Sequence, residues 1–117
     1  MKIHPKGAWT EDKITAFLNE AKIPMRIACT GRDGFPTICS LWFFYNEGAL
    51  WSASHKNSHI VKQLSANPKI GLEIATNEYP YHGVRGRGVA ELIAENAGDT
   101  LQTLIEKYLG DSNASLA

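Results

Sequence analysis

Residues 50–64, LWSASHKNSHIVKQL, change period in mid-stretch: a short strand gives way to a polar loop, Ser54-His55-Lys56-Asn57, and then to a helix. Asn57 or Ser58 fits the N-cap of that helix, Ile60, Val61 and Leu64 fall on one apolar face, and Pro68 closes it. The first turn of a helix leaves backbone N–H groups without intrahelical partners, and the helix dipole adds partial positive charge there. Lys56 and His59 stand beside those groups and Ser58 adds a hydroxyl, a donor set suited to a phosphate. The same residues also fit an ordinary capped helix with solvated polar neighbours.

Working outward, strands surround this unit. From Met25 the period is two, with Met25, Ile27 and Cys29 opposed to Arg26, Ala28 and Thr30. Gly31-Arg32-Asp33-Gly34 marks a hairpin bend. A long strand is predicted over residues 37–45, apolar on both faces at its Leu41-Trp42-Phe43-Phe44-Tyr45 end and so covered on both sides. Asn46-Glu47-Gly48 turns the chain into a strand over 49–54, completing an antiparallel meander. Beyond the helix, residues 69–76 and 84–93 read as two more strands, joined through Asn77-Glu78-Tyr79-Pro80. In the last, Gly86 and Gly88 share a face with Val84 while Arg85 and Arg87 share the other; glycine within a strand marks a bend or a close approach.

Two further helices flank the strands. Thr10 N-caps the first, over 9–21, with Ile14, Phe17, Leu18 and Ala21 as its apolar stripe. Gly98-Asp99 caps the last, with Leu101, Leu104, Ile105 and Tyr108 as the buried stripe and Gly110 as its stop, ahead of an unstructured tail. Five short antiparallel strands and three helices predict a mainly β chain, a small barrel capped by helices.

The bulk numbers exclude several classes. The chain has 117 residues, one domain's worth, with 44% hydrophobic and 21% charged residues. Twelve basic and twelve acidic side chains cancel, so no global field draws it to nucleic acid or to an anionic membrane. No signal peptide or membrane span is visible, and a cytoplasmic protein is expected. Cys29 and Cys39 lack C-x-x-C spacing and read as buried free thiols. His55 and His59 are four apart, but His55 precedes the helix and no carboxylate or thiolate joins them, so no metal site is expected. The run Gly83-Val84-Arg85-Gly86-Arg87-Gly88 lacks the strand–turn–helix context of a nucleotide loop.

In the order MRIACTGRDGFPTICSLWFFY, LWSASHKNSHIVKQLSANPKIGL and VRGRGVAEL, the sequence resembles the pyridoxamine 5′-phosphate oxidase-like family of FMN-binding split barrels, from about Met25 to Leu92. That resemblance implies a split barrel in which the strand–loop–helix holds the flavin phosphate, the strand at Cys39–Phe44 runs along the isoalloxazine ring, and two subunits pair with a flavin at each side of their interface. It implies phosphate contacts from Lys56, Ser58 and His59, and ring contacts from the backbone of Cys39, Ser40, Leu41 and Trp42 with Ser52, and Trp51 as a wall. Arg85 or Arg87 would balance reduced flavin from across the dimer.

The match is that of a divergent branch. His59 stands in place of arginine, Ile60 in place of lysine, and Cys39 and Phe44 where the vitamin B6 oxidases carry arginine and lysine, so B6 oxidation itself is not expected. Many relatives continue from the last helix into another strand. This single domain, 1–117, stops at Ala117, which leaves a final barrel strand missing, supplied otherwise or lost by truncation. The implied activity is an FMN-dependent oxidoreductase passing electrons between a reduced nicotinamide and a small acceptor. The alternatives are a non-catalytic flavin-binding stress or carrier protein, or a member binding haem or the deazaflavin F420.

Overall fold

The computed structural model describes residues 9–94 and 97–110. In chain order the elements are α1 (Glu11–Glu20), β1 (Met25–Thr30), β2 (Pro36–Leu41), β3 (Phe44–Asn46), β4 (Ala49–Trp51), α2 (His59–Ala66), β5 (Lys69–Ala75), β6 (Gly83–Val89) and α3 (Ala97–Leu109). No helix among the described residues is long and apolar enough to cross a membrane.

Four strands form one sheet in the order β2-β1-β5-β6, all neighbours antiparallel, and β3-β4 form a separate hairpin. The turns obey local chemistry. At the β3–β4 turn Glu47 and Gly48 both take positive φ (51° and 80°), the backbone of a two-residue hairpin whose twist matches that of its strands. At the β1–β2 turn Gly34 has φ 83° and Asp33 accepts from the Phe35 N–H.

Strand alternation sorts the sheet into two unlike faces. Ile27 lies opposite both Cys39 and Leu72, and Met25 opposite Leu41, on the face that builds the core. α2 adds Ile60 and Leu64 to that core, α1 adds Leu18, and Phe43 and Ile74 are fully buried within it. Gly86 and Gly88 of β6 fall on this inner face opposite Leu72 and Ile70, while Arg85 and Arg87 fall on the outer one, as the alternation predicts.

Several expectations are corrected. The strand expected over 37–45 is two strands, because Trp42 and Phe43 leave the ladder; the sheets therefore hold six strands, not five. Phe43 keeps the inward direction of Cys39 and Leu41 and is wholly buried, but its N–H and C=O bond to Tyr108 and Lys107 of α3 instead of to a neighbouring strand. The strands expected over 49–54 and 84–93 end at Trp51 and Val89. In the last helix, Gly98 and Asp99 lie within the first turn of α3 rather than capping it, and Leu101 is half exposed, leaving Leu104 as the buried residue of the stripe. The other two helices start where their caps predict: Thr10 Oγ1 accepts from the Lys13 N–H at 3.2 Å, and Ser58 Oγ from the Val61 N–H at 3.4 Å. Gly110 takes φ 78° and ends α3, and the tail after it lies outside the described residues.

Candidate functional site

The loop before α2 is folded by His55. Its carbonyl accepts from the Ser58 N–H at 2.9 Å and its Nδ1 accepts from the Asn57 N–H at 3.1 Å. Two loop amides are thus already engaged. Ser58 is the N-cap, accepting from the amides of Val61 and Lys62. The amides of His59 and Ile60 have no intrahelical acceptor, and Lys56 and His59 lie exposed beside them. Ile60, by contrast, is 8% exposed and points into the core. The donor set for an anion is therefore Lys56, His59, the Ser58 hydroxyl and these two amides, which have no acceptor among the described residues, and it fits a phosphate.

Cys39, Ser40, Leu41 and Trp42 do not act alike. The side chains of Cys39 and Leu41 turn inward against the core, while Ser40 is exposed on the outer face opposite Arg26. β2 is an edge strand, so every second backbone group on its free side lacks a sheet partner among the described residues. Burial pushes both thiols up, and Cys29 nearby raises Cys39 further, so neither is a thiolate nucleophile at neutral pH. Cys29 instead donates to Gln63 Oε1 at 3.0 Å, and Gln63 donates to Thr37 Oγ1 at 3.0 Å, tying α2 to the β1–β2 hairpin.

Trp42, Trp51 and Ser52 come together around the strand break. Ser52 Oγ donates to the Trp42 carbonyl, and Trp51 lies opposite Phe44 with the rings stacked at 6.4 Å. The Trp51 indole N–H is buried and has no partner among the described residues.

On the outer face of the large sheet lies an open cleft of about 590 Å³, within the range of small-molecule sites. Its floor is Ala28, Ile38 and Gly71, and its polar residues are Arg26, Glu73, Arg85 and Arg87. Arg26 reaches Glu73 at 3.8 Å, an exposed pair. Three arginines face one glutamate, so the cleft is cationic.

One group of residues was not foreseen. Lys107 and Tyr108, in the last turn of α3, hold the break between β2 and β3. Lys107 Nζ donates to the carbonyls of Leu18 (3.2 Å) and Phe43 (3.0 Å) and lies 3.8 Å from the Phe43 ring centroid. The Tyr108 hydroxyl donates to the Ile23 carbonyl at 2.8 Å and accepts from the Phe43 N–H at 3.2 Å. Its ring stacks on Trp42 at 4.8 Å and 4°. Burial lowers Lys107 to about 8 and raises Tyr108. The only sequence signal was the position of Lys107 beside the stripe residue Tyr108, and a lysine in a last helical turn is ordinarily explained by the helix dipole.

The fold is shared with solved structures. A conserved hypothetical protein from Mycobacterium tuberculosis superposes with a TM-score of 0.79 at 23% identity, over 99% of this chain and 76% of that one. A protein described as an F420 reductase gives 0.70 at 22%, over 80% of this chain and 75% of that one. An FAD-binding protein from Mesorhizobium loti gives 0.66 at 21%, over 86% and 75%. At these identities the likeness is one of fold. No curated protein sequence matches the chain. Residues 10–115 match the family described as pyridoxamine 5′-phosphate oxidase, which, with the antiparallel sheet, the three helices and these superpositions, makes the chain a divergent member of the pyridoxamine 5′-phosphate oxidase-like split-barrel family.

Proposed function

We propose that this protein binds FMN and is an oxidoreductase that moves electrons between a reduced nicotinamide and a small acceptor. The observation that carries the reading is the outer cleft: apolar on its floor, ringed by arginine, and bordered by Ile38 of an edge strand with free backbone groups. A flat heteroaromatic ring suits such a floor, and unpaired edge N–H and C=O groups suit its polar rim. Lys56, Ser58, His59 and the two free amides at the start of α2 would hold the phosphate, as a charged group at a helix N-terminus requires. Ser52 and the backbone of Cys39 to Trp42 would fix the ring, with Trp51 as its wall, and these residues adjoin the ligand from outside the lining of the cleft itself.

A bound flavin supplies the redox chemistry. The chain's own part is grip, exclusion of water by Ala28, Ile38 and Gly71, and positive potential from Arg85 and Arg87, which favours the anionic form of a reduced ring. In this reading the assembly is a homodimer. Ile38 and Val89 are 70% and 68% exposed on the outer face, and a second copy would cover them and complete the walls of the cleft.

The test is the visible absorption spectrum of the purified protein, before and after FMN is added, followed by NAD(P)H oxidation with a quinone or nitroaromatic acceptor. A flavin spectrum with turnover supports the reading, and flavin without turnover makes the protein a carrier or sensor. Absence of flavin binding sinks it. Cys39 and Phe44 stand where the B6 oxidases carry the arginine and lysine of the flavin strand, and a structural neighbour is described as an F420 reductase, so the deazaflavin is the second ligand to titrate. A Soret band would instead identify haem.

A further inference from the structure

The break between β2 and β3 poses a backbone problem that local structure does not solve. Phe43 is fully buried, yet its N–H and C=O have left the sheet ladder. Buried backbone groups need partners. Both come from α3, some 65 residues further along the chain: the Tyr108 hydroxyl takes the N–H and Lys107 Nζ takes the carbonyl. The same two side chains also hold the carbonyls of Ile23 and Leu18, so that α3 ties the end of α1 and the entry to β1 to the break. Among the described residues no salt bridge reaches Lys107, so carbonyls and ring faces alone hold its ammonium group.

The preceding residue is held from two sides. Tyr108 stacks on the Trp42 ring, and the Ser52 hydroxyl donates to the Trp42 carbonyl. The angle at which β2 gives way to β3, and the place at which the chain leaves β4 toward the loop at Lys56, thus depend on one peptide unit. A leucine at position 108 would fill the same space against Trp42 but would hold neither Phe43 nor Ile23.

We propose that Lys107 and Tyr108 are positioning residues for the cofactor site: by gripping both backbone groups of Phe43 and the ring of Trp42, they set the geometry of Trp42, Ser52 and Trp51. The inference rests on the proposed flavin site for its functional consequence, but its structural content can be read without flavin.

Tyr108→Phe keeps the ring stack and removes the hydroxyl that bridges Phe43 and Ile23. The expected result is a folded protein whose Trp42 and Trp51 indole N–H signals shift in the nitrogen–proton NMR spectrum. Its FMN dissociation constant should rise about tenfold, the scale of one well-placed hydrogen bond. Tyr108→Phe combined with Ser52→Ala should weaken FMN binding by less than the product of the two single effects, because both act on Trp42. Ile74→Val, a core change in β5, serves as the control for general destabilisation and should move neither readout.

Unmoved indole signals overturn the proposal, as does unchanged FMN affinity in Tyr108→Phe when the parent binds FMN. A parent that binds no FMN refutes the functional reading instead. The clamp is then decided by the indole signals alone, standing if both shift and falling if they do not. If Tyr108→Phe does not fold, Lys107→Met is read in the same way.

Discussion

Ile60 limits how strong the proposed phosphate grip can be. Its side chain is committed to the core beside Leu64, so the start of α2 carries one lysine fewer than the B6 oxidases and depends on Lys56 and His59. Removing Lys56 should therefore be costly. Lys56→Ala is expected to weaken FMN binding by about ten- to a hundredfold, the scale of a hydrogen bond to a charged group, measured by quenching of flavin fluorescence. Affinity equal to the parent's would place the phosphate elsewhere.

Lys107 carries a second prediction at this scale. Burial lowers its pKa to about 8 in the folded chain against an ordinary 10.5, so between those values the unfolded chain holds a proton that the folded one has lost. Stability contributed by this group must rise with pH across that window, the reverse of a lysine gaining a partner. Unfolding curves of the parent and Lys107→Met should show the parent gaining relative to the variant from pH 8 to 10. A constant difference would mean that the lysine keeps an ordinary pKa. None of this was legible in the sequence: Lys107 is three residues beyond Leu104, a position that reads equally well as a solvated flank of the apolar stripe.

At the scale of elements, caps and turns were legible because their chemistry is local. Thr10 and Ser58 cap helices through their own side chains, and Glu47-Gly48 bends through its own φ values. The break at Trp42-Phe43 was not, because Leu41-Trp42-Phe43-Phe44-Tyr45 has every residue preference of a strand and is interrupted only by contacts with α3. The pairing of β5 with β6 depends on a glycine in a way that can be tested. A Cβ on Gly83 would collide with the Ile74 carbonyl and with Ala75, backbone that cannot give way as a side chain can. Gly83→Ala should therefore lift the start of β6 from β5, at a cost of about 1–3 kcal/mol. In thermal melts that is roughly 4–8 °C for each kcal/mol in a domain near this size. Gly86→Ala, where an added methyl meets nothing within 4 Å, is the comparison and should melt close to the parent. Equal melting of the two would show that the β5–β6 end is looser than its register implies.

At the scale of the whole molecule, the outer face of the sheet is the unfinished part. The inner face, with α1 and α2, accounts for the core, whereas Ile38 and Val89 on the outer face remain open to solvent between charged neighbours. The sequence foretold the two faces through the alternation of Arg85 and Arg87 with glycine, but a period of two cannot say whether an exposed face meets solvent, a ligand or another copy. A second copy is the occupant that would also supply walls to an open cleft of about 590 Å³. The parent is accordingly expected to scatter light as twice the chain mass of 12.9 kDa at micromolar concentration. Ile38→Lys adds a further cation beside Arg26, Arg85 and Arg87, where burying an ammonium group among like charges costs several kcal/mol. It should shift the population to the single-chain mass and weaken FMN binding together, because the cleft would lose its second wall. A parent that binds FMN as a 12.9 kDa monomer would instead make the cleft a complete site within one chain.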